Sequence, residues 1–249
     1  MQQRFIRQSL LIGDDATEKL SGKRVALFGV GGVGSYAAEA LARCGVGHIE
    51  LIDADAVSES NINRQLCALT STIGLPKVSV VASRLKDINP DIKVSERAEF
   101  FLPENSHLFD FSSYDFVIDA IDTVSAKIEI AVRCTELGIP MISCMGTGNK
   151  LDPTALCISD LAKTEGCPLA RVMRRELKKR GISHLPVIYS KETPIKPLSL
   201  GGENISLSPE SNKPTPASIA FVPSVAGLYA ASVAVKTLIA APSSSSEAR

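Results

Sequence analysis

The sequence predicts an α/β protein built on a doubly wound, mostly parallel sheet of the Rossmann type, with a C-terminal extension of mixed strands and helices. A short apolar run at 24–28 is typical of a strand, and a glycine-rich turn at 29–34 leads from it into an alanine-rich helical segment at 35–44. A second strand-like run follows at 48–52. Because a strand–helix–strand crossover joins parallel strands, this unit predicts a parallel sheet at the start of the fold.

The alternation of strands and helices continues to about residue 145. Strands are predicted near 92–95, 114–119 and 140–144, and helices over 76–88 and 123–137. This regular order is the pattern of a doubly wound sheet with helices on both of its faces.

Beyond residue 145 the sequence no longer alternates regularly between predicted strands and helices. Short strands predicted at 156–159 and 187–190 flank a charged helix over 168–180. Residues 191–216 contain several prolines, two adjacent glycines and many polar residues, a composition typical of a mobile loop. The composition leaves open whether this loop is an ordered lid over a substrate.

Composition and charge limit the classes of function. Hydrophobic residues make up 45% of the chain and charged residues 22%, which are the values of an ordinary globular protein with a full core. The formal net charge is zero. Any contact with nucleic acid must therefore come from a local basic patch and not from the charge of the whole protein.

The apolar stretch at 219–240 has the length of a membrane span. Pro223, Gly227 and Lys236 interrupt it, and its many small residues favour a helix buried in the fold. The N-terminus has only a short apolar run before Gly13, which does not fit a signal peptide. We therefore expect a cytoplasmic protein with no membrane partner.

The cysteines and histidines argue against a zinc site. The six cysteines never fall into a C-x-x-C pair, and the three histidines are isolated from them and from each other. Structural zinc ligands usually come in closely spaced pairs. Dispersed cysteines in a chain of this size do not suggest a disulfide framework either, so we expect no zinc and small buried thiols in a reducing compartment.

The glycine-rich turn predicts a nucleotide site. Gly29, Gly31, Gly32 and Gly34 lie between a strand and a helix, where backbone N–H groups and the helix dipole favour a phosphate. Asp53 ends the next strand, where a carboxylate accepts hydrogen bonds from ribose hydroxyls. This pattern alone fits an NAD-dependent oxidoreductase as well as an ATP-dependent enzyme.

The residues that follow favour ATP. Asn61, Arg64 and Gln65 are expected beyond the carboxyl edge of the sheet, beside the glycine turn, and Lys77 can reach the same crevice. Two extra cations exceed what a dinucleotide requires, whereas a triphosphate that loses pyrophosphate needs them to stabilise the leaving group. Asp122, at the end of the 114–119 strand, is placed to hold Mg²⁺ together with phosphate oxygens and water.

Each of these residues also has a structural interpretation. Arg64 and Lys77 can be surface charges, and Asp122 can cap the following helix. Asp55 lies in the same segment and is a candidate ATP contact, although the residues alone favour a turn position for it. The joint occurrence of all these residues at one edge of the sheet favours the ATP site.

Segments spread along nearly the whole chain resemble one enzyme family. They read RFIRQSLLIG, GVGGVG, DADAVSESNINRQ, GLPKV, DAIDT and FVPSVAGL. They are similar to the family of ubiquitin-activating, molybdopterin-synthase-activating and thiamine-sulfur-carrier adenylating enzymes. The resemblance implies that ATP activates a carboxylate as an acyl-adenylate, with Mg²⁺ as a second cofactor.

The resemblance also implies roles for single residues. It implies ribose binding by Asp53 and Mg²⁺ binding by Asp122. It implies phosphate binding by a cluster of four residues, Asn61, Arg64, Gln65 and Lys77. It further implies that Arg7, which from the residues alone is a surface charge on a short N-terminal helix, reaches the ATP of a second subunit, so that the enzyme is a homodimer.

Two features typical of the family are missing from this chain, and they limit which of its members the chain resembles. The chain lacks the two C-x-x-C pairs usual in sulfur-carrier-activating members, and it lacks an inserted domain for a thioester cysteine. What remains resembles the tRNA threonylcarbamoyladenosine dehydratases, which implies ATP-dependent cyclisation of that nucleoside beside the anticodon. Adenylation of the C-terminal glycine of a small sulfur-carrier protein is the alternative. The sequence leaves open a sulfur acceptor or cysteine desulfurase as a further partner, and a bound monovalent cation.

The helix predicted over 168–180 suits a tRNA partner. Six cations lie within ten residues, interrupted by a single acid, Glu176. The tRNA-binding candidates are Arg171, Arg174, Arg175, Lys178, Lys179 and Arg180. From the residues alone, the alternative is a solvated helix face.

We interpret the whole chain, residues 1–249, as a single adenylation domain. Its expected parts are an N-terminal helical arm (residues 1–20), a nucleotide-binding half (21–145), a half for the substrate and the dimer contacts (146–240) and a polar tail (241–249).

Overall fold

A seven-stranded sheet forms the centre of the protein. The structure, a computed structural model, describes residues 3–198 and 216–240. The strands are β1 (Arg24–Phe28), β2 (His48–Ile52), β3 (Lys93–Arg97), β4 (Phe116–Asp119), β5 (Met141–Cys144), β6 (Leu156–Asp160) and β7 (Pro186–Ser190). The helices are α1 (Ile6–Ile12), α2 (Asp14–Ser21), α3 (Gly34–Arg43), α4 (Lys77–Ile88), α5 (Val124–Leu137), α6 (Pro168–Lys178) and α7 (Phe221–Ala240).

The order of the strands is β3-β2-β1-β4-β5-β7-β6. All neighbouring pairs are parallel except β6 and β7, which are antiparallel. The chain moves outward from β1 through β2 and β3 and then returns to place β4 on the other side of β1. This confirms the predicted doubly wound α/β fold, and such a reversal opens a crevice at the carboxyl ends of the strands.

The sheet is buried on both faces. Along β1, Val25 and Leu27 belong to the core under α3, α4 and α7, whereas Ala26 and Phe28 belong to the core under α5 and α6. Alternate residues of a central parallel strand are therefore apolar on both sides, which explains the continuous apolar run in the sequence. The Phe28 ring lies 4.8 Å from that of Phe101 in an edge-to-face contact, so the segment after β3 is anchored beneath the end of β1.

Helix α7 is the one helix among the described residues that is long and apolar enough, by length and composition, to cross a membrane. Val222, Ala226, Ala230 and Ala234 on one of its faces are buried in the core against α3 and the sheet. The helix is thus part of the fold, as the interruptions in its sequence predicted. The small residues allow a close approach, and Gly227 lies directly against the start of α3.

A few boundaries differ from the predicted ones for local reasons. Strand β4 begins at Phe116 and not at residue 114, because the Tyr114 N–H donates to the Phe111 carbonyl oxygen at 3.0 Å and closes the short turn at Phe111–Ser113. Helix α6 ends at Lys178, shortly before Gly181 with its φ of 77°. The described parts of the predicted loop, 191–198 and 216, contain no helix or strand, and residues 199–215 and the tail at 241–249 lie outside the described residues.

The contact of α7 with α3 makes a prediction about Gly227. A Cβ atom at this position would lie 2.2 Å from the Val33 carbonyl oxygen, so Gly227→Ala should lower the free energy of unfolding by about 1–3 kcal/mol through overpacking. In a helix without such a contact, replacing glycine by alanine raises the free energy of unfolding by about 1 kcal/mol. Urea denaturation measures the difference. The control Lys236→Ala, on the exposed side of the helix, should stay within about 0.5 kcal/mol, and a stabilised Gly227→Ala protein would contradict the packing.

Candidate nucleotide-binding crevice

A cavity of about 360 Å³ opens at the carboxyl ends of β1, β2 and β4. This is the size range of small-molecule sites. Its walls bring together nearly all the nucleotide-site residues that the sequence predicts. The predicted residues that line it are Gly29, Gly31, Gly32, Asp53, Asp55, Asn61, Arg64, Gln65, Lys77 and Asp122.

The glycine loop between β1 and α3 is shaped by two close approaches. Gly29 has a φ of 89°, and a Cβ atom on it would lie 2.7 Å from the Ala120 carbonyl oxygen after β4. A Cβ atom on Gly34 would lie 1.8 Å from the Gly29 carbonyl oxygen, so Gly34 supports the turn from below and does not line the cavity. The loop turns tightly enough to aim the N-terminus of α3 at the crevice, where backbone N–H groups favour an anion.

Asp53 is fixed at the end of β2 by backbone hydrogen bonds. Its carboxylate accepts from the Val30 N–H at 2.7 Å and from the Asp55 N–H at 2.9 Å. Burial raises the pKa of Asp53, and the nearby Lys77 ammonium and these two N–H groups oppose that rise. The carboxylate is therefore oriented beside the glycine loop, in the position that binds a ribose in dinucleotide folds.

Lys77 enters the crevice from the start of α4. Its side chain is only 6% exposed, and its Nζ lies 2.6 Å from Asp55 Oδ2 and 3.9 Å from Asp53 Oδ1. The Lys77 backbone N–H also donates to the Asp55 carbonyl oxygen. Asp55 is therefore the turn residue that the sequence favoured, and it also holds the lysine, which must share its charge between this carboxylate and any phosphate.

Asn61, Arg64 and Gln65 form the wall beside the glycine loop, where the Gln65 side chain lies next to Gly31 and the Arg64 carbonyl next to Gly32. The Asn61 Oδ1 accepts from the Ser58 N–H at 3.2 Å and so stabilises the short turn that presents all three. The Arg64 guanidinium is half-buried and donates to the Ser60 carbonyl oxygen at 2.9 Å. A backbone carbonyl at one end leaves the rest of the planar guanidinium available, and a planar fork of donors suits phosphate oxygens.

Asp122 lies in the turn between β4 and α5 with its side chain exposed. Helix α5 begins at Val124, and its N-terminal cap is Thr123 without a side-chain hydrogen bond, so the capping role that the sequence left open for Asp122 is not observed. The described part of the chain contains no group of three residues that could hold a metal alone. A metal here would need further ligands from phosphates and water, which is the usual arrangement for Mg²⁺.

One part of the cavity wall, the segment that follows β3, was not predicted from the sequence. Phe100 is 63% exposed and lines the cavity together with Glu99. Its neighbour Phe101 also lines the cavity but is buried against Phe28. An exposed ring such as that of Phe100 in a cavity wall is suited to stacking on a nucleobase. The only sequence signal was a pair of phenylalanines just after a strand that neighbours β2.

The walls of the cavity carry more negative than positive charge. Four carboxylates, those of Asp53, Asp55, Glu99 and Asp122, face two cations, those of Arg64 and Lys77, among the described lining residues. An ATP molecule brings further negative charge. Glu99 is paired at 3.1 Å with Arg97, which does not line the cavity, and Lys77 with Asp55 at 2.6 Å, so additional positive charge would strengthen the binding of a triphosphate.

One basic residue of the predicted tRNA surface also has a structural role. Arg174 is half-buried, and its Nη1 donates to the Leu161 carbonyl at 3.0 Å and to the Thr164 carbonyl and hydroxyl, each at 2.8 Å. These acceptors end a short helical turn before α6 and need donors. Arg174 thus stabilises this turn through one end of its guanidinium, and its role as a tRNA contact stays a prediction.

The other five basic residues of this helix are exposed. Three of them surround Glu176, whose carboxylate lies 2.9 Å from Arg175, 2.9 Å from Lys179 and 3.7 Å from Arg180. Arg171 and Lys178 have no ion-pair partner within the described ranges. None of the six lines the nucleotide crevice.

Arg7 lies outside the crevice of its own protomer. It is exposed on α1, one turn before Leu10 and Leu11, which are 85% and 84% exposed. Residues three and four apart share one face of a helix. Arg7 and two apolar side chains therefore form a common exposed face.

Comparison with known proteins agrees with this geometry. A model of the ThiF family matches residues 5–249. The tRNA threonylcarbamoyladenosine dehydratase of Bacillus subtilis is 45% identical over 234 residues, which cover 92% of this chain and 91% of the relative. The molybdopterin-synthase adenylyltransferase of Haemophilus influenzae is 33% identical over 142 residues, which cover 56% of this chain and 58% of that relative.

Solved structures show the same similarity. The Escherichia coli tRNA N6-threonylcarbamoyladenosine dehydratase, TcdA, in complex with AMP superposes with a TM-score of 0.85 at 35% identity, covering 96% of this chain and 94% of that one. The same E. coli enzyme in complex with ATP superposes with a TM-score of 0.84 at 34% identity, with equal coverage. The chain therefore belongs to the ThiF family and groups within it with the tRNA threonylcarbamoyladenosine dehydratases.

Proposed function

We propose that this protein is an ATP-dependent enzyme that cyclises threonylcarbamoyladenosine in tRNA with net loss of water. The observation that carries the proposal is the crevice, whose wall brings Arg64 and Lys77 together with the glycine loop and the Asp53 carboxylate. The similarity to tRNA threonylcarbamoyladenosine dehydratases along almost the whole chain supports the choice of substrate.

The chemistry proceeds in two steps. An oxygen of the threonyl carboxylate attacks the α-phosphorus of ATP, and pyrophosphate leaves with the charge that Arg64 and Lys77 stabilise. The carbamoyl group of the same nucleoside then attacks the activated carbonyl, and AMP leaves with the carboxylate oxygen. Both reacting groups belong to one nucleotide, so the proximity is built into the substrate and no protein nucleophile is required.

The excess of carboxylates in the crevice supports Mg²⁺ as a cofactor. Asp122 is exposed in the cavity wall and offers a single carboxylate. One carboxylate with phosphate oxygens and water is a fitting set of ligands for this ion. Asp122 would hold Mg²⁺ there, and the ion would supply positive charge to the phosphates.

The same excess supports a homodimer in which Arg7 reaches the site of the partner. Among the described residues that line the crevice, cations are fewer than carboxylates, and Arg7 lies outside the crevice on an exposed face beside Leu10 and Leu11. Burying these leucines against a second copy removes apolar surface from water. The same contact would bring the guanidinium of one protomer to the ATP of the other.

The remaining exposed cations of α6 support a tRNA contact. Arg171 and Lys178 are exposed on this helix, and Arg175, Lys179 and Arg180 lie around Glu176. Cations of this kind bind phosphates without reading sequence. A tRNA substrate also agrees with the cytoplasmic location that the sequence led us to expect.

The reaction itself is tested by incubating the protein with ATP, Mg²⁺ and tRNA that contains threonylcarbamoyladenosine. We expect AMP to form and the nucleoside to lose the mass of one water. Arg64→Ala and Lys77→Ala should each lower the rate by about a hundredfold or more, since each removes stabilisation of the leaving group, with unfolding midpoints near that of the parent. Lys86→Ala, an exposed lysine on the same helix as Lys77, is the matched control.

Other outcomes of this assay identify other functions. AMP formation that depends on a small sulfur-carrier protein and ignores tRNA would indicate the alternative adenylation. Binding of nicotinamide nucleotides in place of ATP would indicate an oxidoreductase. Near-normal turnover in both Arg64→Ala and Lys77→Ala would contradict the site.

The contribution of the second subunit is tested by mixing inactive variants. If Arg7 acts across the dimer, Arg7→Ala and Lys77→Ala proteins are each inactive, but a mixed dimer contains one intact site. After subunit exchange, a two-fold dimer should recover about a quarter of the parent activity. If Arg7 acted within its own subunit, every site of the mixed dimer would be defective and no activity would return, which would contradict the proposal.

The tRNA surface is tested by the salt dependence of binding. Arg171→Ala with Lys178→Ala should weaken tRNA binding and lower the slope of log affinity against log salt by about two, since each lost phosphate contact removes about 0.9. The affinity for ATP should stay unchanged. Lys93→Ala, on the distant strand β3, is the control. An unchanged slope in the double variant would place the tRNA on another surface.

A further inference from the structure

A fully buried ion pair lies directly beneath the turn that carries Asp122. Lys127 on α5 and Asp119, the last residue of β4, both have side chains with 0% exposure, and the Lys127 Nζ lies 2.9 Å from Asp119 Oδ2. The Ser143 hydroxyl donates to the same carboxylate at 2.5 Å. Neither Lys127 nor Asp119 lines the nucleotide crevice, so the mechanism above does not use this pair.

The ammonium group joins two neighbouring strand ends. Besides Asp119, its Nζ donates to the Ile121 carbonyl oxygen at 3.0 Å and to the Cys144 carbonyl oxygen at 2.8 Å. A lysine has three N–H donors and no acceptor, and these partners occupy all three. The turn after β4 is thereby tied to the last residue of β5.

Such a pair is a poor device for stability alone. Removing two charges from water costs several kcal/mol per ion, and well-packed apolar residues of similar volume often serve stability as well or better. A buried lysine at this position is therefore better explained by the geometry that it imposes. That geometry concerns the backbone around Ile121, the residue before Asp122.

The turn is held from two sides. From below, Lys127 binds the Ile121 carbonyl, and the Asp119 carboxylate accepts the Ile121 N–H at 3.3 Å. From the side, the glycine loop packs against Ala120, whose N–H donates to the Phe28 carbonyl at 2.8 Å. The backbone of the turn is fixed, while the Asp122 side chain itself stays exposed in the crevice.

We propose that Lys127 is a positioning residue, which holds the turn after β4 so that the Asp122 carboxylate is preorganised toward the metal-bound phosphates of ATP. It touches neither substrate nor metal and acts through the Ile121 carbonyl. Groups that orient a metal-binding side chain from behind commonly contribute tenfold or more to metal affinity or activity. The inference rests on the proposed function, because that proposal gives Asp122 its role.

The test needs a variant that folds. Lys127→Met alone would leave the Asp119 charge buried without a partner, which is strongly destabilising. The combined variant Asp119→Asn with Lys127→Met removes both charges at nearly constant volume, and its urea unfolding midpoint shows whether it folds cooperatively. If it does not, Lys127→Arg is measured in the same way, because it keeps the charge while its planar fork cannot reproduce the three bonds.

The readout is the affinity for ATP, measured by calorimetry with and without Mg²⁺. In the parent, Mg²⁺ should tighten ATP binding. In the double variant, the affinity without Mg²⁺ should stay within about twofold, and the gain from Mg²⁺ should fall by about tenfold. A residue that only stabilised the fold would not change the two affinities differently.

A mutant cycle with Asp122→Asn completes the test. If Lys127 acts through Asp122, adding Asp122→Asn to the double variant should cost no more of the Mg²⁺ effect than Asp122→Asn costs alone. A folded double variant with the full Mg²⁺ effect, or additive losses in the cycle, would overturn the role of Lys127. A parent protein that binds no ATP would instead overturn the proposed function, and the positioning role with it.

Discussion

The site depends on how closely the glycine loop approaches the turn after β4. The main chain of Gly29 lies so near Ala120 that a Cβ atom between them would sit 2.7 Å from a carbonyl oxygen. This contact fuses the ends of β1 and β4, and the bond from the Val30 N–H to Asp53 adds the end of β2. The glycine loop, the Asp53 carboxylate and the turn with Asp122 are therefore held together in one frame. Preorganised groups of this kind need no rearrangement as charge develops in a reaction.

The described residues of this frame that line the cavity include more carboxylates than cations. The Lys77 ammonium is already paired with the Asp55 carboxylate at 2.6 Å. A polyanionic ligand is therefore disfavoured until positive charge arrives from elsewhere. In the proposed mechanism that charge comes with the metal and with the arginine of a second copy. Under that proposal, tight binding of ATP depends on assembly of the dimer.

The sequence predicted those features whose residues lie together in one short segment. The alternation of apolar runs, the glycine turn and the carboxylate after β2 are local patterns, and they predicted the fold and most of the crevice wall. Phe100 was missed because its place in the site depends on the order of strands that are distant in sequence. The structural role of Arg174 was not predicted, because its partners are backbone carbonyls of Leu161 and Thr164, which no side-chain pattern reveals. The sequence did not single out Lys127 as a functional residue, because lysines in helices are almost always exposed.

The central claim is that ATP activates the carboxylate of the nucleoside as an acyl-adenylate. The most direct measurement is the fate of oxygen-18 placed in the threonyl carboxylate of the tRNA substrate. Because the carboxylate oxygen becomes the bridge to the α-phosphorus and leaves with it, the account predicts one labelled oxygen in each AMP released. Label in inorganic phosphate, or unlabelled AMP formed together with cyclised nucleoside, would contradict it.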